Sequence, residues 1–380
     1  MPALSVDSSL RQEVGMPTCA LWKRGIWPVS AGVLLMASAL YPQREAPAPA
    51  VHRNDDKMAG QTADAYSGAA SRVAAVASPR ARVHLRPPLS ATARPPGAQV
   101  LTVRFGPRAG TYGVGQPLTV RLSHPVTPGN RQARAAVEQG LEVTSAPEVG
   151  GSWYWVDDQT LHFRPQSFWP AHATITAHTS LDGVKITDTL YGGESEALRI
   201  TTGDRIEAVT DIAQFSMTVY RNGHAVKTIP VTTGKDGYRT RTGIKVVLEK
   251  QPVIRMSGET IGIPKDSPDA YDLNVRHAIR VTWSGEYLHA APWSSHFHGV
   301  KNVSHGCTGM STGNAAWLYN TLNPGDLVRV IDGPGPQVTA FGNGYGDWNL
   351  SWPQWRAGSA LAPQPEQPSA PATPSLHPLI

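Results

Sequence analysis

Leu118, Val120 and Leu122 alternate with Thr119 and Arg121, the period of a strand with one face buried. Val100, Thr102 and Val103 begin an earlier strand, and Gly106, Pro107 and Gly110 turn the chain after it. Trp153-Tyr154-Trp155, Leu161-His162-Phe163 and Thr174-Ile175-Thr176 read as further short strands. Strands of this length and spacing predict an immunoglobulin-like β-sandwich over residues 98–203, without a disulfide. Residues 204–331 are again strand-rich. Arg205 to Val209, Ser216 to Tyr220, Ala225 to Pro230, Lys245 to Lys250 and Asp326 to Ile331 read as strands, and Asn222-Gly223 makes a hairpin turn. From Ser311 to Leu322 the period becomes helical, with Ala315, Leu318, Tyr319 and Leu322 at helical spacing and Ser311 as the cap.

Elsewhere the pattern breaks down. Residues 41–97 are rich in Ala, Pro, Ser and Arg and lack sustained apolar periodicity. Such a stretch cannot bury enough surface to offset its ordering entropy, so a spacer is expected, with a weak helix near 59–77. Residues 332–357 carry Gly346-Asp347-Trp348-Asn349, Trp352 and Trp355 and are expected to pack back on the 204–331 domain. Residues 358–380, with six prolines from Pro363 to Pro378, read as a disordered tail. Near the start, Lys23 and Arg24 precede an apolar run from Ile26 to Leu40. That run has the length of a signal core and is short of the roughly 20 residues a spanning helix needs. Residues 1–40 are therefore expected to be an export signal or membrane anchor, acting through 22–40, with translation starting at Met1 or Met16. The expected location is the cell envelope, at the outer face of the cytoplasmic membrane or in the wall.

Composition sharpens this outline. The 380 residues suggest two or three domains. The net charge is +5, and Arg44, Arg53, Lys57, Arg72, Arg80, Arg82, Arg86 and Arg94 against Glu45, Asp55, Asp56 and Asp64 place +4 of it in the spacer. The remainder is nearly neutral and offers no basic face for nucleic acid. The basic spacer fits a solvated linker better than a contact with anionic lipids or wall polymers. Only two cysteines occur. Cys19 precedes the apolar run, so it is not the lipid-modified cysteine that follows such a run. Cys307 would then be the single thiol of an exported domain, which favours a chemical use. It sits in Ser304-His305-Gly306-Cys307, eighteen residues after His289. A histidine that takes the thiol proton makes the sulfur a nucleophile. His296 and His298 form a His-x-His without clustered acids and read as loop residues, so no metal is expected. Trp153, Trp155 and Trp169 read as core or interdomain packing more readily than as a sugar-binding face.

Tyr287 to Trp293, followed by Asn302-Val303-Ser304-His305-Gly306-Cys307, resembles the catalytic signature of the L,D-transpeptidases, the YkuD domain. Gly262-Ile263-Pro264, Ala315-Ala316-Trp317, Pro324-Gly325-Asp326 and Trp355-Arg356-Ala357-Gly358 are similar to the mycobacterial-type members, as is Gly151-Ser152-Trp153-Tyr154-Trp155 in the preceding module. The resemblance covers about residues 98–358. It implies a mainly β protein: an immunoglobulin-like sandwich, then a YkuD-type catalytic β-sandwich with a short helix and a small C-terminal Trp-rich subdomain. It implies Cys307 as nucleophile, His289 as general base and the Ala290 carbonyl as the group that orients the base. The N–H groups of Gly306 and Cys307 become candidates for an oxyanion hole. His305 shapes the site or takes part in the chemistry, two readings that stay open. Tyr271, Met256, Ser284, Gly285, Ser304 and Gly309 fall at substrate-pocket positions. One departure stands out: the family pattern has asparagine two residues after the cysteine, and this chain has Thr308-Gly309. The implied activity is 3→3 cross-linking of peptidoglycan stem peptides, open to carbapenem acylation and needing no cofactor. An L,D-carboxypeptidase or cysteine peptidase shares every catalytic residue, and a non-catalytic wall-binding protein is a third reading.

Overall fold

The computed structural model describes residues 90–363. The segment expected to be a signal or anchor at 1–40, nearly all of the expected spacer and the chain after 363 lie outside the described residues. Among the described residues no helix is long and apolar enough to cross a membrane.

The alternation of the first module becomes two four-stranded sheets. Strands Val103–Gly106, Leu118–Leu122, Thr160–Pro165 and Gly151–Trp155 pair in that order. Gly110–Tyr112, Leu198–Thr202, Thr174–Thr179 and Leu141–Ala146 form the other sheet. Leu118, Val120 and Leu122 all point into the core between the sheets, while Arg121 faces water. Trp153, Trp155 and Trp169 lie in that core, each 6% exposed or less, so they pack rather than present a sugar-binding face. The module is not all-β as expected. A helix, Arg131–Gln139, crosses one end, its Asn130 cap accepting from the Ala133 N–H and its Ala133 and Val137 buried. Its Ala133 and Val137 face is clearly separated from its charged face and Asn130 is a local cap, so the signal for this short helix is present in the sequence and a reading for strands passes over it.

The second module stacks a five-stranded sheet on a four-stranded one. Its first sheet runs His224–Pro230, Ser216–Arg221, Ile206–Asp211, Leu327–Ile331 and Gly243–Val246. Its second runs Glu249–Ser257, Asp272–Arg280, Tyr287–Ala290 and Thr308–Met310. The single strand expected over Lys245 to Lys250 is two strands in different sheets. Val246 and Val247 are both fully buried, which a strand with one wet face does not allow, and the chain crosses between sheets there. Helix Thr312–Thr321 forms as read, with Ser311 accepting from the Asn314 N–H and Ala315 and Leu318 buried against the second sheet.

The Trp-rich segment does not pack on the catalytic module alone. It lies mainly along the immunoglobulin-like module. Trp348 Nε1 donates to Gly115 O (2.8 Å) and Trp355 Nε1 to Ser152 O (2.9 Å). Arg164 stacks beneath Trp348 and Trp355 and donates to Leu350 O, and buried Asp347 bonds His162 Nδ1 at 2.7 Å. Asn349 ties the same segment to the catalytic module by a paired amide contact with Ile244. Each indole N–H needs an acceptor once buried, and the strand edges of the first module supply them. The tail is expected from 358, yet Ser359 and Ala360 are buried and bonded to Glu138.

Candidate active site

Strands Tyr287–Ala290 and Thr308–Met310 run parallel, with Leu288 beside Thr308 and His289 beside Gly309. Cys307 immediately precedes the second strand, so lateral pairing closes the eighteen residues that separate base and nucleophile. Gly306, at φ +116°, makes the turn before the cysteine in a backbone region closed to L side chains.

His289 is buried, and its Nδ1 lies 2.9 Å from the Ala290 carbonyl. A carbonyl only accepts, so Nδ1 carries the hydrogen and Nε2 keeps its lone pair. Burial pushes His289 down to about 4, and the half-exposed Trp293 stacks on its ring. Cys307 keeps some exposure as a residue, yet protein packs densely around its sulfur. Burial pushes the thiol up to about 12; a backbone hydrogen bond from Tyr287 and the charge of Lys245 oppose that, and Glu286 adds to it. The Sγ donates to Gly285 O at 3.5 Å. At neutral pH the site therefore holds a neutral thiol and a neutral imidazole.

The remaining candidates gather around this pair. The cysteine opens onto two cavities, of about 370 and 1030 Å³, and Met256, Tyr271 and His305 line both. The smaller also holds His289, Ser304 and Gly309, and the larger Ser284, Gly285 and Gly306. His305 is stacked on Tyr271 and edge-on to Tyr238. Its Nε2 is 3.6 Å from Asp269 Oδ1 and makes no hydrogen bond, an arrangement that shapes the cavity wall. The oxyanion pair needs correction. The Gly306 N–H already donates to Ser304 Oγ (3.1 Å), and that hydroxyl donates to Cys307 O (2.6 Å). The Cys307 N–H is the remaining donor of the expected pair.

Gly309 has a steric reason to be glycine. Its N–H and C=O both bond Thr232, and a Cβ there would stand 2.9 Å from Ala291 Cβ and 3.1 Å from Thr232 Cγ2. His296 is exposed, and His298 faces Ser294. Among the described residues no three His, Cys, Asp or Glu side chains are grouped to hold a metal.

Sequence reasoning missed four side chains that support the site. Lys245, only 2% exposed, bonds Glu286 at 2.6 Å, and Arg241 bonds the other oxygen of that carboxylate at 3.1 Å. Asn343 accepts from the Ser284 N–H (2.7 Å) and donates to Ser284 Oγ, fixing the loop whose Gly285 carbonyl receives the thiol. None is adjacent in sequence to its partner, so no local pattern marks it. The backbone of Tyr287, which bonds the sulfur, was legible only as part of the motif.

A β-sandwich that sets a thiol beside a backbone-anchored imidazole, at the mouth of two cavities, defines the class of cysteine acyl-transfer folds. Comparisons narrow the class. The model of the YkuD L,D-transpeptidase catalytic domain matches residues 205–330, and that of a bacterial Ig domain matches 61–185. L,D-transpeptidase 2 of Mycobacterium tuberculosis is 35% identical over 250 residues, covering 66% of this chain and 60% of that protein. L,D-transpeptidase 1 of the same organism is 35% identical over 219 residues, covering 58% of this chain and 80% of that protein. The structure of an L,D-transpeptidase from Mycobacterium smegmatis superposes with a TM-score of 0.50 at 36% identity, over 61% of this chain and 99% of that one. The chain belongs to the L,D-transpeptidase family.

Proposed function

We propose that this protein is an exported peptidoglycan L,D-transpeptidase that works through a thioester on Cys307. The observation that carries the reading is the anchored His289, with its Nδ1–H held by Ala290 O, facing the same cavity as the Cys307 thiol. With both groups neutral, attack and proton transfer go together. The sulfur adds to the carbonyl carbon of the third stem residue, a diamino acid, while the thiol proton moves to His289 Nε2. The peptide C–N bond then breaks, the proton passes to the leaving amine, and D-alanine departs. A side-chain amine of a second stem attacks the thioester carbonyl and gives up a proton through His289. The S–C bond breaks, the thiol is restored, and a 3→3 cross-link remains. The Cys307 N–H is the donor we assign to the developing oxyanion.

The same thiol makes carbapenem-type β-lactams expected acylating agents, since ring opening is the same first step with the amine leaving group tethered. Thiol, imidazole and backbone donors suffice for acyl transfer, so no cofactor is invoked. Export, through residues 22–40, would bring the site to its substrate in the envelope.

The test is incubation of the protein with a tetrapeptide stem, alone and with an amine-bearing acceptor stem, followed by mass analysis. A cross-linked product with release of D-alanine, absent from Cys307→Ala, is expected. A truncated stem without cross-link, even with acceptor in excess, would make the protein an L,D-carboxypeptidase. Cross-linking that survives in Cys307→Ala would end the thioester route.

A further inference from the structure

The larger cavity at Cys307 is lined by four arginines and one carboxylate, Glu286. Their ion pairs decide where charge is left over. Arg239 pairs with Asp236, Arg255 with Asp272 and Arg280 with Glu249, one to one. Of the carboxylates that pair with these arginines, Glu286 is the one shared by two cations. Its Oε2 takes Lys245 Nζ at 2.6 Å, and its Oε1 takes both the backbone N–H (3.0 Å) and Nη1 (3.1 Å) of Arg241. Lys245 and Glu286 are sealed off at 2% and 7% exposure, whereas Arg241 keeps 37% and lines the cavity. Burial pushes the Lys245 ammonium down and its contact with Glu286 opposes that; with Lys245 charged in this pair the trio holds one surplus positive charge, and Arg241 is the member that can present it.

Arg241 is also held in place. Thr240, its neighbour, donates through Oγ1 to Gly306 O at 2.8 Å and accepts from the Gly234 N–H, which ties the arginine's backbone to the turn that carries Cys307. Glu286 adjoins Tyr287, whose backbone bonds the sulfur. Among the described residues, Nε and Nη2 of Arg241 have no protein acceptor. A guanidinium fixed at one end with free donors at the other is suited to forked recognition of a carboxylate. A partly desolvated surplus charge is stabilised when an anion completes the set.

We propose that Arg241, positioned by Glu286 and Lys245, is a carboxylate-recognition residue of the acyl-donor site, and that the protein selects donors carrying a free carboxylate close to the bond it opens. This rests on the acyl-transfer reading above and adds to it a substrate class. In a stem peptide the carboxylate can come from the terminal D-alanine or from an unamidated side-chain or backbone carboxyl of the second or third residue. A carbapenem carries one beside its strained ring.

The experiment compares a carbapenem with its carboxylate ester on the full chain, following by intact mass the rate at which each acylates Cys307. In both cases the ring C–N bond breaks as the S–C bond forms, and the thiol proton ends on the ring nitrogen. The free acid is expected to acylate wild-type protein at least about tenfold faster than the ester, the scale of one charge-assisted hydrogen bond. Arg241→Gln closes that gap, and Arg241→Lys restores part of it. Equal rates for acid and ester on wild-type protein would overturn the proposal without recourse to any variant. Stems amidated singly at each carboxyl then identify the source: the one whose amidation slows acylation about tenfold supplies the group, and indifference to all of them argues against the selection of donors. If no stem reacts while the carbapenem acid and ester still differ, the transpeptidase reading fails and the anion site stands.

Discussion

Cys307 and His289 are pushed in opposite directions from their ordinary values, and both shifts favour the uncharged form. A preformed thiolate–imidazolium pair would show a low thiol pKa and a reactive sulfur at acid pH. Here the thiolate fraction stays small until the pH nears about 12, so alkylation of Cys307 by iodoacetamide is expected to rise about tenfold per pH unit from 6 to 9 with no plateau. A plateau reached below pH 8 would mean an ion pair and a different first step. Position 309 is governed by contact rather than charge. Gly309→Asn would restore the residue type of the family pattern, yet its Cβ meets the rigid Ala291 Cβ at 2.9 Å. The substitution is expected to lower stability by about 1–3 kcal/mol, seen as a lower thermal midpoint, and not to raise activity. A Gly309→Asn variant that melts like the wild type would show that the strand yields there.

At the scale of elements, the site is a pair of parallel strands completed by a loop. The Thr282–Gly285 turn supplies the carbonyl that receives the thiol, and Asn343, 59 residues away in sequence, holds it through two hydrogen bonds. Asn343→Ala should lower kcat/KM for acylation several-fold while the thermal midpoint hardly moves, because both bonds lie at an exposed surface. A wild-type rate in that variant would mean that the turn holds its shape unaided. The contrast explains what the sequence discloses. The Leu118–Leu122 strand and the Thr312–Thr321 helix are legible because alternation, helical spacing and a serine cap are local signals. The motif around Cys307 is legible because neighbours in sequence are neighbours in the site. The helix Arg131–Gln139 carries a two-sided pattern and an Asn130 cap but is only nine residues long among strands, and the break at Val246-Val247 looks like one long strand. Asn343, Arg241 and the Lys245–Glu286 pair are set by contacts between distant segments, which no window of sequence contains.

At the scale of the molecule, two sandwiches share one joint. The N–H groups of Gly113 and Gly115 in the first donate to the Pro324 and Gly325 carbonyls of the second, both at 2.9 Å, and the Trp-rich segment lies along the same seam. Asp326, only 2% exposed, sits at that joint and accepts from the Asn323 N–H at 2.7 Å. Burial pushes its carboxyl up to about 7, although the Asn323 N–H and the charge of Lys250 pull the other way. The folded-state value thus lies above the ordinary one. The stability this gives is complete below about pH 4, shrinks as pH rises, and is lost once the pH passes about 7. Asp326→Asn keeps an acceptor for the Asn323 N–H and removes the titration. Thermal midpoints measured from pH 5 to 8 should fall for the wild type, and the fall should be reduced or absent in Asp326→Asn. The variant should therefore gain most at pH 8, where the wild type carries a buried charge at the joint between its domains. Parallel pH profiles for the two proteins would mean that Asp326 is ionised throughout and that the joint accommodates its charge.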